Sequence, residues 1–141
     1  MDWLAGLNLL GFLLCGMALG AMVFFAGVVA PLVFRHLPSD IAGDFIRALF
    51  PRYYVVLMMA TGIAALALWG RQEAGVLTAV CMLFAFARWG LMPRINEARD
   101  LELLGDAQEG KIFRRLHRLS VIANAAQMVA LLAVFVRLAS D

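Results

Sequence analysis

From Trp3 to Phe34 the chain carries no charged side chain, and three further apolar stretches follow at residues 53–70, 75–92 and 119–136. A helix rises 1.5 Å per residue, so about 20 apolar residues cross a hydrocarbon core. The pattern predicts four spanning helices, the last three near the lower length limit. One polar edge interrupts this sequence of apolar rods. His117, Ser120, Asn124 and Gln127 are spaced by three, four and three residues. On a helix these side chains fall within about 80° of one another. Such an edge avoids hydrocarbon by facing protein, water or a ligand.

Between the apolar stretches the pattern changes. Residues 39–50 place Ile41, Phe45 and Leu49 on one side and Asp40, Asp44 and Arg47 elsewhere, which predicts a short amphipathic helix in the membrane interface between spans one and two. Pro51 then opens span two, with Tyr53 and Tyr54 at headgroup depth. Past span three, residues 93–104 remain helix-compatible, 105–110 read as a turn, and 111–118 run into span four. Residues 93–118 therefore form a cytoplasmic helical hairpin projecting about 15 Å. Most of Arg94, Glu97, Arg99, Glu102 and Arg115 are expected on its solvated face. In span one, Gly16 and Gly20 make a G-x-x-x-G pair, continued by Gly27, which predicts close helix packing within the bundle, or alternatively a homodimer seam. Pro31 is expected to kink that helix near its end.

Composition agrees: of 141 residues 64% are hydrophobic and 16% charged, with mean hydropathy +0.87. Soluble domains have about 25% charged residues. The fold class is an all-α integral membrane four-helix bundle in a single domain, residues 1–141. Nine of the twelve basic residues lie in the stretches after spans one and three. The positive-inside rule makes loops 35–52 and 93–118 cytoplasmic and both termini external, in a bacterial inner membrane. The first apolar segment is far longer than the h-region of a cleaved signal peptide and no basic residue precedes it, so it is read as retained. Cys15 and Cys81 lie inside spans without a metal-binding or redox spacing, and read as packing residues.

Arg88 lies about 6 Å inside the inner boundary of span three, level with Ser120 and Asn124 on span four. It either meets the polar edge or snorkels to the interface. His36 ends span one on the side of the membrane that bears His117. With Arg88, Arg94, Asn96, Ser120, Asn124, Gln127 and the two tyrosines, the histidines are candidates for a polar cavity open to the cytoplasm. The simpler alternative is that the edge is interhelical hydrogen-bond glue, each pair contributing about 0.6 kcal/mol. His36 and His117 are weak candidates for metal or haem ligands, and the eight methionines are ordinary bundle filling. No protease, esterase, phosphate-loop or paired-carboxylate motif is present. The basic loops beside a bilayer point to orientation and anionic lipid rather than nucleic acid.

The stretches Phe34 to Phe50, Met92 to Asn96 with Arg99 and Asp100, and Phe113 to Ser120 followed by Asn124 resemble the transmembrane protein 205-like family, in bacteria a four-span domain of unknown function. The resemblance implies four spans and marks His36, Pro93, Arg94, His117, Ser120 and Asn124. It implies no reaction. A fainter similarity is to HemJ-type protoporphyrinogen oxidases, through Arg94 to Glu97, and to copper-resistance membrane proteins as small helical bundles. Three functions stay open: a small-solute or ion binding or transport module, or membrane partner subunit; a haem- or metal-dependent oxidoreductase; and an assembly factor without ligand.

Overall fold

In the computed structural model, residues 2–140 are described; Met1 and Asp141, the ends of the expected domain, lie outside the described residues. Four long helices follow one another: α1 (Trp3–His36), α2 (Ser39–Ala67), α3 (Gln72–Leu103) and α4 (Ala107–Ser140). All four are long and apolar enough to span a membrane, and no strand occurs among the described residues. The expected all-α four-helix bundle is therefore the fold. Large side chains such as Leu13, Val23, Met59, Met82, Ile122 and Val129 stay exposed on its outside. In water they would be an aggregation surface; in lipid they are the solvated face.

Residues 39–50 are helical as the pattern predicts, but they continue without a break into the second span, with Pro51 inside the helix. Proline removes one backbone donor there. The Arg52 guanidinium, donating to the Ala48 carbonyl at 2.7 Å, supplies an extra donor beside it. Pro31 and Pro93 act differently. Each lies two residues beyond a π turn, Phe25–Val29 in α1 and Ala87–Leu91 in α3. In these turns the N–H groups of Ala30 and Met92 reach back five residues, to Phe25 and Ala87. An extra residue per turn relieves the clash between a proline ring and the carbonyl four positions earlier. The helices continue through both prolines.

The loops are short. Gly105, at φ +99°, closes α3 with the N–H of Asp106 on the Leu101 carbonyl and its own N–H on that of Glu102. The Asp106 carboxylate then caps α4 through the N–H groups of Gln108 and Glu109, at 2.9 and 3.1 Å. The turn expected over 105–110 is thus only its first part, and Gly110 belongs to α4. Glu102 packs closely over it: a Cβ there would stand 2.7 Å from Glu102 Oε1, so a larger residue would make that side chain shift.

Beyond the apolar stretches, the hairpin is knitted by charge rather than merely solvated. Arg94 pairs with Glu97 and Glu109, and Glu102 with Arg99 and Arg114. Arg99 also lies over the Phe113 ring. Arg47 of α2 reaches Asp100 of α3 at 2.6 Å. That hydrogen bond holds the Asp100 carboxyl below its usual range, against a smaller opposing effect of burial. A lowered carboxyl stabilises the fold at pH above the unfolded value near 3.9, and the contribution fades as pH falls through the lowered one. Asp100→Asn should therefore lower the unfolding midpoint by a small, constant amount from pH 8 to pH 5, and the difference should close under more acid conditions. Thermal unfolding in detergent at a series of pH values measures it; a difference that grew on acidification would contradict the assignment.

Packing is uneven along the bundle. Near the end bearing the chain termini, Cys15, Ala18, Leu57, Ala64, Leu68, Leu77, Val80, Leu131 and Val134 form a closed core. Cys15 points its thiol at the Leu131 carbonyl and Cys81 at that of Met58, as packing residues do. At that end Glu73, 5% exposed, joins Arg71 and Arg137. Toward the basic end, α4 buries nothing between residues 111 and 126. There the bundle opens.

Candidate functional site

The opening is a cavity of about 420 Å³ lined by all four helices, within the range of about 300 to 1,000 Å³ usual for ligand sites. α1 contributes Met22, Phe25, Ala26 and Ala30, while α2 contributes Ile46, Arg47, Phe50, Tyr53 and Tyr54. These α2 positions recur at helical spacing only because residues 39–67 form one helix. Ala87 and Leu91 from the π turn of α3 add to the wall, with Met92, Ile95 and Asn96 after it. Both π turns thus face the cavity, a common placement for such turns.

The helix-four edge divides here. His117, Ser120 and Asn124 line the cavity. Gln127, 2% exposed, lies in the closed core, where its Nε2 donates to the Val80 carbonyl at 3.4 Å. It is interhelical glue, as the simpler reading had it. Ser120 donates to the His117 carbonyl at 2.7 Å, and the His117 ring stacks on Phe113 at 5.8 Å. Asn124 Nδ2 donates both to the Ser120 carbonyl at 2.9 Å and to Tyr54 Oη at 3.2 Å. Because the Ser120 carbonyl can only accept, that atom is the amide nitrogen, and the tyrosine oxygen is the acceptor. The Tyr54 proton is left without an acceptor among the described residues. Tyr54 itself is only 4% exposed.

Other expected members stand apart. Arg88 follows Ala87 by one position, about 100° around the helix, and does not line the cavity. Its guanidinium lies 5.8 Å from the Trp89 ring centroid and its Nε is buried without a hydrogen-bond partner. Arg94 is committed to the hairpin. His36 is exposed, with Nδ1 3.2 Å from its own helix's Leu32 carbonyl. Of the two histidines only His117 reaches the cavity, and among the described residues no group of three His, Cys, Asp or Glu is placed to hold a metal.

Sequence reasoning finds the two tyrosines but misses Arg47 and the rest of the apolar wall. Phe25, Phe50, Tyr53 and Tyr54 make a continuous aromatic cluster, with ring centroids 5.1 to 5.9 Å apart. Arg47, at the cavity margin, is neutralised by Asp100. The glycine reading also changes. Gly16 packs in the bundle against Phe135, whereas a Cβ on Gly20 or Gly27 would meet nothing within 4 Å. Gly11 makes the other close approach, against Leu68.

Four apolar spans around a cavity at the basic end define a small, all-α integral membrane protein. The chain belongs to the family described as a domain of unknown function (DUF4149), whose family model matches residues 13–102. That match takes in α1 from residue 13, all of α2 and nearly all of α3, and stops short of Ser120 and Asn124. No curated protein and no solved structure matches the chain.

Proposed function

We propose that this protein is a binding module of the membrane that holds a small molecule in the cavity at its basic end, in a bacterial inner membrane with that end cytoplasmic. The observation that carries the reading is the contrast between the closed core around Leu77 and Leu131 and the cavity beside Tyr54 and Asn124, which no side chain fills. A bundle needing only hydrogen-bond glue has no use for such a space, since unfilled volume forfeits dispersion contacts. The basic residues of loops 35–52 and 93–118 support the orientation. Kinship with transmembrane protein 205-like proteins, which residues 34–50, 92–96 with 99 and 100, and 113–120 with 124 resemble, is part of the same proposal. Transport of the bound molecule is a further step of the same proposal.

Native mass spectrometry of the full chain released from lipid nanodiscs tests it. The natural protein should retain a bound small molecule, Ala125→Phe at the cavity edge should lose it, and Arg88→Ala should keep it. Identical spectra for the natural chain and Ala125→Phe would overturn the proposal.

A further inference from the structure

The cavity's lining says which molecule fits, and where it enters. Ala26 of α1 and Val121 and Ala125 of α4 line the cavity and are exposed. α1 and α4 meet in the other half of the bundle, where Cys15 faces Leu131 and Phe12 stacks on Phe135 at 4.7 Å. Toward the basic end these two helices part, since α4 packs on α1 before Phe25 and hardly on residues 25–36 beyond it, and Ala26, Val121 and Ala125 make the gap apolar. Entry is therefore sideways from the lipid, for a molecule that partitions into it.

The polar groups inside favour an uncharged head. Among the described residues Arg47 is the only side chain of fixed charge in the lining, and Asp100 already neutralises it. A charged head would be desolvated there without a counter-ion. What the site does offer is an unspent donor, the Tyr54 O–H, on a nearly fully buried ring. The Asn96 amide, with no hydrogen-bond partner among the described residues, lies on the lining as well. A carbonyl oxygen is the acceptor such donors lack. Beside them, Phe25, Phe50, Tyr53 and Tyr54 present aromatic faces and edges at stacking distances, suited to a flat ring.

Resting on the binding reading above, we infer that the cavity takes a neutral lipid with a carbonyl-bearing planar ring and an apolar tail, of the quinone class. It enters between α1 and α4, stacks its ring on the aromatic cluster, and accepts a hydrogen bond from Tyr54. Only binding is assigned.

The test uses the full chain in nanodiscs, with ubiquinone-2 as probe and dodecyl phosphate as anionic comparison, each measured as excess over empty nanodiscs. Ubiquinone-2 should saturate near one per chain and exceed dodecyl phosphate. Tyr54→Phe keeps the ring and removes only the hydroxyl. It should weaken ubiquinone-2 roughly 5- to 10-fold, as loss of one hydrogen bond does. Ala125→Phe, at the lateral gap, should abolish the excess. Preference for dodecyl phosphate, or unchanged affinity in Tyr54→Phe, would overturn the neutral-carbonyl assignment while the binding reading stood. No excess of ubiquinone-2 in the natural chain would overturn the inference too, and the mass spectrum of retained molecules would then decide the broader reading separately.

Discussion

Phe84→Ala is expected to destabilise the bundle by about 3 kcal/mol, at the low end of phenylalanine truncations in packed cores. Phe84 is fully buried, and its ring centroid lies 6.0 Å from that of Tyr54. In a bilayer the transfer of apolar surface contributes less, since lipid tails are as apolar as the core. Lost dispersion contacts and the void left behind remain. The control is Phe86→Ala on the same helix, where the ring is 60% exposed and truncation should stay within about 0.5 kcal/mol. Unfolding by sodium dodecyl sulfate in mixed micelles compares the two. Equal midpoints for both variants would mean that Phe84 is not the packed centre assigned to it. Because Phe84 supports Tyr54 from outside the cavity lining, its loss should also weaken ubiquinone-2 binding.

The fold was legible because a membrane leaves few choices. Charge-free runs of sufficient length form helices there, since every backbone polar group is satisfied within its own segment. Positions along a helix were harder to read than its existence. Pro51 looks like a start and Gly110 like part of a turn, yet Pro51 is helical interior and Gly110 lies in the first turn of α4, its N–H on the Asp106 carbonyl. The site was legible on α4, where polar residues stand out from an apolar background. On the other helices it was not. Phe25, Phe50 and Met22 look like any lipid-facing residues in the sequence, and only the bundle geometry turns them inward. Arg88 misled for the opposite reason. A charge inside a span attracts a functional reading, but depth alone does not fix the face. Ala87, one position earlier, is the residue that reaches the cavity.

Faces also decide what the glycines of α1 do, and of the G-x-x-x-G pair Gly16→Leu should be the damaging substitution. A Cβ at Gly16 would stand 2.9 Å from Phe135 Cε2. Moving the ring away would break its stack on Phe12, one turn before Gly16, at 4.7 Å with an interplanar angle of 16°. Overpacking of this kind costs about 1 to 3 kcal/mol, and a leucine adds three more carbons beyond the Cβ. Gly20→Leu meets nothing within 4 Å. Its gain in helix propensity, somewhat under the roughly 0.8 to 1 kcal/mol that separates alanine from glycine, makes it neutral or slightly stabilising. The two glycines thus separate contact within the bundle from contact outside it. In mixed micelles Gly16→Leu should unfold at a clearly lower detergent fraction than the natural chain, and Gly20→Leu at an equal or higher one. Cross-linking in the membrane should respond only to Gly20→Leu if that open face seats a second copy. Matching unfolding midpoints for the two variants would place Gly16 outside the α1–α4 contact.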